Sequence, residues 1–238
     1  MTVDVLAIGA HPDDVELGIG GLVHKLTGRG YAVAILDLTR GELSTRGTVE
    51  EREQEARQAA AILGVCAREN AGLPDGAVAN TTEYQRRVIP HLRALRPKLL
   101  LAPMHGDRHP DHSVAHTLVR DADYFAGLGK IETGHEPHRT PHVYYYHPYF
   151  EDGDPPQFVL DITEHFEAKL DALKAHASQF FNPDYPGKPT YIASERFWES
   201  IRTRAAYWGR RIDASYGEPL YADRPVPMDL PPGLEEPQ

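Results

Sequence analysis

The stretch that decides the fold is VLAIGAHPDDVELGIGG, residues 5–21 of the 238-residue chain. It opens on a short apolar run, residues 5–8, of the kind found in strands buried in a parallel sheet. The run gives way to His11, Asp13 and Asp14. Ligands of open α/β sheets bind in the crevice beyond the carboxyl ends of the strands. We therefore expect these three side chains to belong to a functional site at that edge.

Around this stretch the hydrophobic pattern predicts a strand over residues 3–8, a helix over residues 14–25 and a second strand over residues 31–38. Such a unit, with parallel strands, crosses over in the right-handed sense. The alternation continues with further predicted elements: a helix at 48–63, a strand at 65–71, a helix at 82–96, a strand at 98–103 and a helix at 113–128. The sequence thus predicts an α/β, Rossmann-like fold, with a mostly parallel sheet flanked by helices and the site at the C-terminal ends of the strands.

Two local signals bear on the helix boundaries. Thr48 and Glu51 form the capping-box pattern that opens a helix. Pro90 lies inside the helix predicted at 82–96, where a proline is expected to kink the helix or shift its start.

The remainder of the chain predicts two strands and two helices. The strands, residues 143–146 and 158–162, are expected around a turn at 152–156, and the helices cover residues 163–177 and 193–212. Residues 1–220 are expected to form a single domain, and residues 221–238 a proline-rich tail that drapes over the surface or is disordered.

Composition excludes several classes of protein. The chain has 25 Lys and Arg against 35 Asp and Glu residues, a net charge of −10, which argues against nucleic acid as a partner. Its single cysteine, Cys66, excludes an internal disulfide framework and a cysteine-rich zinc finger. No apolar run approaches the length of a bilayer span, and the first residues lack the pattern of a secretion signal. We expect a cytoplasmic protein without a membrane partner.

A second His/Asp cluster, HPDH at residues 109–112, follows the strand predicted at 98–103. Zinc binds imidazole nitrogen and carboxylate oxygen, and a catalytic zinc site uses three protein ligands with a fourth position open to water. His11, Asp14 and His112 supply that set. The sequence therefore predicts one Zn²⁺ per chain at the sheet edge, with Fe²⁺ as the alternative metal.

The remaining residues of the two clusters suit hydrolysis. Asp13 is free beside the metal and can take a proton from water as the general base, then return it to a leaving amine. His109 is expected on the other side of the open position, where a protonated imidazole stabilises an oxyanion. Asp111 is expected to hold that imidazole in its protonated state.

Ordinary structural explanations compete with this hypothesis. One His-Pro-Asp-Asp turn alone is as easily a capped helix start, but two such clusters at two parallel-strand ends favour a site. The glycines near residues 9–21 also raise the possibility of a dinucleotide site, yet carboxylates stand where the pyrophosphate would approach the backbone. Arg52 and Arg108 are by default solvated or salt-bridged arginines.

The motifs AHPDD (residues 10–14) and HPDH (residues 109–112) resemble the LmbE-like, or PIG-L, zinc-dependent N-deacetylases of N-acetylglucosamine conjugates. Further segments are similar to the branch that removes acetate from N-acetylglucosaminyl-malate in bacillithiol biosynthesis. They are PDDVELGIGG (12–21), LTRGE (38–42), TRGT (45–48), DRHPDH (107–112), SQF (178–180) and YGE (216–218).

The resemblance implies the same ligands and base as the residues themselves, and it adds substrate contacts. Arg52 and Arg108 are implied for the malate carboxylates, and Arg139 and Tyr191 for the neighbourhood of the acetyl group. Some relatives carry a tyrosine two residues before the position of His109, where this chain has Asp107. Relatives are often homo-oligomers, hexamers among them, so a homo-oligomer is expected.

The sequence thus predicts a metal-dependent hydrolase that removes acetate from an N-acetylglucosamine conjugate, with N-acetylglucosaminyl-malate as the expected substrate. Two alternatives stay open. One is the same chemistry on another glucosamine conjugate: an inositol-linked glucosamine, a chitooligosaccharide or a thiol adduct. The other is a metal-dependent binding module without turnover.

Overall fold

The protein is described by a computed structural model that covers residues 2–149 and 155–226. A parallel five-stranded sheet has the order β3-β2-β1-β4-β5. Its strands are β1 Val5–Gly9, β2 Val33–Thr39, β3 Ala67–Leu73, β4 Leu99–Pro103 and β5 His142–Tyr146. Two short strands, β6 Phe158–Asp161 and β7 Gly217–Leu220, pair antiparallel in a separate sheet. The predicted α/β fold with a mostly parallel sheet is confirmed.

Helices cover both faces of the large sheet. They are α1 Asp14–Gly28, α2 Val49–Leu63, α3 Thr82–Leu95, α4 Pro110–Ala126, α5 Phe166–Ala175 and α6 Glu195–Arg210. Side chains of β1 alternate between two cores: Leu6 and Ile8 pack with α3 and α4, whereas Val5 and Ala7 pack with α1 and α2. Burial on both faces explains why β1 appears in the sequence as a continuous apolar run. Within the described ranges, no helix combines the length and the apolar character needed to cross a bilayer.

One helix differs from the prediction in a way that reaches the site, and another continues through the proline expected to disturb it. Helix α4 begins at Pro110 instead of residue 113, because proline is well tolerated in the first turn, and its N-cap is His109. Asp111 and His112 therefore lie in the first turn of a helix. Helix α3 begins at Thr82 as predicted and continues through Pro90 to Leu95.

The C-terminal part also departs from expectation. Strands β5 and β6 belong to different sheets, and residues 152–154 of the turn expected between them lie outside the described residues. A 3-10 turn, Thr163–His165, precedes α5, and α5 ends at Ala175 instead of residue 177. Tyr221 is buried and bridges to Tyr145, while residues 227–238 of the predicted tail lie outside the described residues. The division into domain and tail stays a prediction.

Helix α1 is interrupted at Ile19, whose φ of −139° and ψ of 23° are not helical. The break creates an internal helix start, and its backbone N–H groups at Gly21 and Leu22 donate to the carboxylate of Glu218 at 3.1 and 2.7 Å. The ammonium of Lys169 also contacts that buried carboxylate. A residue of β7 thus caps the second half of the first helix.

Candidate active site

The predicted site residues meet at the carboxyl ends of β1 and β4, which are neighbours in the sheet. A cavity of about 460 Å³ opens there, lined by His11, Asp13, Arg108 and His109 among others. Asp14 and His112 form a fully buried wall behind it, 1% and 0% exposed. Parallel strands deliver both clusters to one edge, so residues about a hundred positions apart become neighbours.

Donor atoms of the three predicted metal ligands converge. Nε2 of His112 lies 3.1 Å from Oδ1 of Asp14, Nδ1 of His11 lies 3.5 Å from Oδ2 of Asp14, and the two imidazole nitrogens lie 3.3 Å apart. Tetrahedral ligands at zinc distances of about 2.0–2.1 Å are separated by roughly 3.4 Å. The donor types and their spacing therefore fit a divalent cation bound by His11, Asp14 and His112.

The outer nitrogens of both imidazoles also face carboxylates. Nε2 of His11 lies 3.1 Å from Asp75 and 3.3 Å from Asp111, and Nδ1 of His112 lies 3.1 Å from Asp107. Metal-bound histidines typically direct their second nitrogen to such a group, which fixes the ring and its tautomer. This arrangement is a second observation that fits a metal centre.

The pKa values of these groups show how strongly the carboxylates act on the imidazoles. Burial lowers the pKa of His112, but Asp14 and Asp107 outweigh it and raise that pKa to about 9. For Asp14, burial favours the neutral acid, yet the two histidines hold its pKa well below the usual range. Without a metal the cluster thus retains protons, and a divalent cation releases them when it binds.

Asp13 occupies a strained position beside the donors. Its φ of 124° is rare for a residue other than glycine, and such strain is concentrated at functional sites. Burial raises the pKa of Asp13 to about 6, and the guanidinium of Arg52 opposes this rise. The Nη2 atom of Arg52 lies 3.1 Å from Asp13 and donates to the carbonyl of Pro12 at 2.6 Å, while Nη1 donates to the carbonyl of Gly41 at 3.2 Å. Arg52 therefore holds the carboxylate of Asp13 in place. It also lines the cavity, so its expected contact with the malate carboxylates stays a prediction.

The contacts of Asp111 correct its predicted role. Its carboxylate accepts from the backbone N–H of Gly76 at 2.8 Å and faces His11, so it does not hold the ring of His109. Nδ1 of His109 instead accepts the backbone N–H of Asp111 at 3.3 Å, as an N-cap. Burial and the neighbouring imidazoles lower the pKa of His109, which opposes the predicted imidazolium. With Nδ1 as acceptor, the neutral ring carries its proton on Nε2.

Three further site residues escaped the sequence-based prediction. Asp75 lies in the turn after β3, and its position at the end of a parallel strand was a usable signal. Asp107 precedes His109 and contacts His112. Tyr149 follows β5, and its ring stacks on the imidazole of His112. The ring centres lie 5.3 Å apart, and the angle between the ring planes is 11°. The tyrosine of some relatives is absent at position 107, and Tyr149 brings a phenol to the cavity from elsewhere in the chain.

The predicted substrate contacts divide into two groups. Arg52, Arg108 and Tyr191 line the cavity, and the guanidinium carbon of Arg108 lies 4.4 Å from the centre of the exposed Tyr191 ring. Arg139 is not brought to the cavity within this chain, because its guanidinium lies 4.6 Å above the ring of Tyr124. Tyr124 lies twelve residues after His112 on α4, about 18 Å along the helix.

Replacing Asp107 with asparagine is expected to weaken metal affinity by about 10–100-fold, because loss of an outer carboxylate lowers the basicity of the ligand imidazole. Competition with a chromophoric chelator measures this affinity. Asp121→Asn, which removes a partly exposed carboxylate of α4 paired with Arg120, is the control and should leave the affinity unchanged. Equal affinities in wild type and Asp107→Asn would contradict the orienting role.

Comparison with known proteins identifies the family of this chain. A family model described as PIG-L: GlcNAc-PI de-N-acetylase matches residues 6–123. Diacetylchitobiose deacetylase of Thermococcus kodakarensis is 32% identical over 230 residues, which cover 90% of this chain and 80% of that protein. The probable N-acetyl-alpha-D-glucosaminyl L-malate deacetylase 2 of Bacillus anthracis is 30% identical over 189 residues, covering 74% of this chain and 81% of that protein.

A solved structure extends the likeness to the whole fold. The crystal structure of a conserved protein from Thermus thermophilus superposes with a TM-score of 0.87 at 35% identity, covering 98% of this chain and all of that one. The relatives match most of the length of this chain and are similar over the elements that form the site. The chain belongs to the PIG-L, or LmbE-like, deacetylase family.

Proposed function

We propose that this chain is a metal-dependent hydrolase that removes acetate from an N-acetylglucosamine conjugate. The observation that carries the proposal is the convergence of the donor atoms of His11, Asp14 and His112, 3.1–3.5 Å apart, at the wall of a cavity that also holds Asp13 and His109. Zn²⁺ is the metal we propose, with Fe²⁺ as the alternative. When bound to these residues, the metal polarises the acetyl carbonyl and lowers the pKa of water.

The protein residues supply the proton transfers. Asp13 takes a proton from water and gives it to the departing amine, a role that its raised pKa suits near neutral pH. Arg52 keeps that carboxylate in its strained position. His109, as a neutral ring with its proton on Nε2, donates to the oxyanion that forms at the acetyl carbon, so that no imidazolium is required.

For the group attached to the sugar, we propose an anionic one such as malate, because Arg108 presents a guanidinium at the cavity. Arg52 adds little to this, since Asp13 already neutralises it. The second candidate is diacetylchitobiose. An exposed tyrosine ring, Tyr191, offers a flat surface for a second sugar, and a relative at 32% identity is named for that substrate.

Arg108→Gln separates the two substrates. Loss of a charged hydrogen bond to a carboxylate is expected to raise KM for N-acetylglucosaminyl-malate by about 10–100-fold, with little change for diacetylchitobiose. Steady-state kinetics on both substrates measures the change. The matched control is Arg40→Gln, which removes an exposed guanidinium paired with Glu53. An equal loss on both substrates would contradict recognition of an anion.

The direct test is acetate release from N-acetylglucosaminyl-malate, diacetylchitobiose and free N-acetylglucosamine, with metal-loaded and chelator-treated protein. We expect release only from metal-loaded protein, and faster release from a conjugate than from the free sugar. Metal binding without release from any acetamidosugar would favour the binding module over the enzyme. The homo-oligomeric state stays a prediction.

A further inference from the structure

Tyr149 lies between two cavities. It lines the catalytic cavity, and it also lines a smaller one of about 40 Å³ behind it. Residues of α1, α5, α6 and β7 line the smaller cavity. Its apolar part is formed by Leu17, Phe197, Ile201 and Ala205, and its polar part by Lys169, Ser200, Arg204 and Glu218. This volume exceeds the roughly 10–15 Å³ that a single water molecule needs, so a short apolar group fits.

The position of Tyr149 is fixed by contacts from three directions. Its backbone N–H donates to Oδ2 of Asp107 at 3.2 Å, and its carbonyl and that of Pro148 accept from Nη1 of Arg204 at 3.3 and 2.8 Å. Its ring stacks on the imidazole of His112, and its centre lies 5.9 Å from that of the Phe197 ring. The ring is therefore a fixed partition between the two cavities.

The geometry of an amide determines which part of the substrate faces this partition. The proposed function brings the amide carbonyl to the metal that His11, Asp14 and His112 would hold, while the sugar extends toward Arg108 and the exposed ring of Tyr191. The acyl substituent leaves the carbonyl carbon on the side away from the nitrogen. In the binding mode proposed here, it faces the ring that stacks on His112.

We propose that Tyr149 restricts this enzyme to acetyl groups by closing off the smaller cavity, which otherwise accepts a longer acyl chain. This inference rests on the proposed function. It predicts that the acyl preference is set by the bulk of the ring and not by its hydroxyl group.

The test compares Tyr149→Ala and Tyr149→Phe on N-acetyl, N-propanoyl and N-butanoyl derivatives of glucosaminyl-malate and chitobiose. In Tyr149→Ala, the ratio of kcat/KM for butanoyl over acetyl is expected to rise at least 10-fold, since each methylene in an apolar pocket is worth about 10-fold or more in discrimination. Tyr149→Phe should keep the wild-type ratio. A folded Tyr149→Ala with an unchanged ratio, or an equal rise in Tyr149→Phe, would overturn the proposal.

A second substitution tests the cavity itself. Ala205→Val adds two methyl groups to the lining of the smaller cavity. The double variant with Tyr149→Ala should therefore lose the butanoyl activity gained by Tyr149→Ala alone, and persistence of that activity would overturn the role of the cavity. Tyr207→Ala, an exposed aromatic of the same helix, is the control and should leave the ratio unchanged. Thermal unfolding confirms folding, and Tyr149→Leu replaces Tyr149→Ala if the latter does not fold.

Calorimetry keeps this inference separable from the proposed function. The metal-loaded proteins are titrated with acetate and butanoate, which carry the two acyl chains. A selective gain of butanoate binding in Tyr149→Ala, without hydrolysis of any substrate by wild type, would support the partition and contradict the deacetylase. The opposite outcome is hydrolysis by wild type with no gain of butanoate binding and no change of acyl preference in Tyr149→Ala. It would support the deacetylase and contradict the partition.

Discussion

Asp13→Asn is expected to lower kcat for acetate release by about 10²–10⁴-fold while the protein still binds its metal, because a general base supplies that much of the rate. Asparagine keeps the shape of the side chain and lacks the negative charge that accepts a proton. Steady-state kinetics gives kcat, and elemental analysis of the purified variant gives the metal content per chain.

The control for this substitution is Glu53→Gln, which also removes a carboxylate paired with an arginine, but on the exposed surface. It should retain wild-type kcat. Because Asp13→Asn also deprives Arg52 of its ion pair, thermal unfolding of the variant is measured alongside. Wild-type turnover by a folded, metal-loaded Asp13→Asn protein would contradict the assignment of the base.

The second large effect distinguishes the roles of two neighbouring histidines, His109 and His112. His112→Gln is expected to lose both metal and activity, because it removes one of three protein ligands. His109→Gln is expected to keep one metal per chain and to lose about 10²–10³-fold in kcat, the usual effect of removing one oxyanion donor. Metal content and kcat, measured on both variants, give the comparison.

Distance alone does not divide these roles, since donor atoms of His11, His109 and His112 all lie within 4.8 Å of one another. The hydrogen bonds divide them. His112 has a carboxylate behind its outer nitrogen, as a metal ligand has, whereas the Nδ1 atom of His109 caps a helix. If His109→Gln loses metal as fully as His112→Gln, His109 belongs to the ligand set and the oxyanion role fails.

The fold and the centre of the site are predictable from the sequence because both depend on local patterns. Continuous apolar runs identify β1 and β4, and amphipathic segments between strands identify the helices. The ends of neighbouring parallel strands meet at one edge. Consequently His11, Asp14 and His112 are brought together without any knowledge of loop conformation.

The contacts that surround the predicted ligands and base depend on the conformations of the loops. A pattern in the linear sequence does not carry that information. The pairing of Asp75 with His11 joins the ends of β3 and β1, which are not adjacent in the sheet. Arg52 is one of several charged residues at the start of α2, and nothing in its spacing indicates that it faces Asp13 instead of a ligand. The burial of Asp111 against His11 depends on helix α4 starting at Pro110.

The break in helix α1 links two distant parts of the sequence. The turn that carries His11 and Asp13 directly precedes Asp14, the first residue of helix α1, yet the second half of that helix is capped by Glu218, 197 positions after Gly21 in the sequence. Contacts of such long sequence separation form late in folding because the intervening loop must close first. A truncated chain that ends before Glu218 therefore carries every proposed catalytic residue and lacks the support for the helix that presents them.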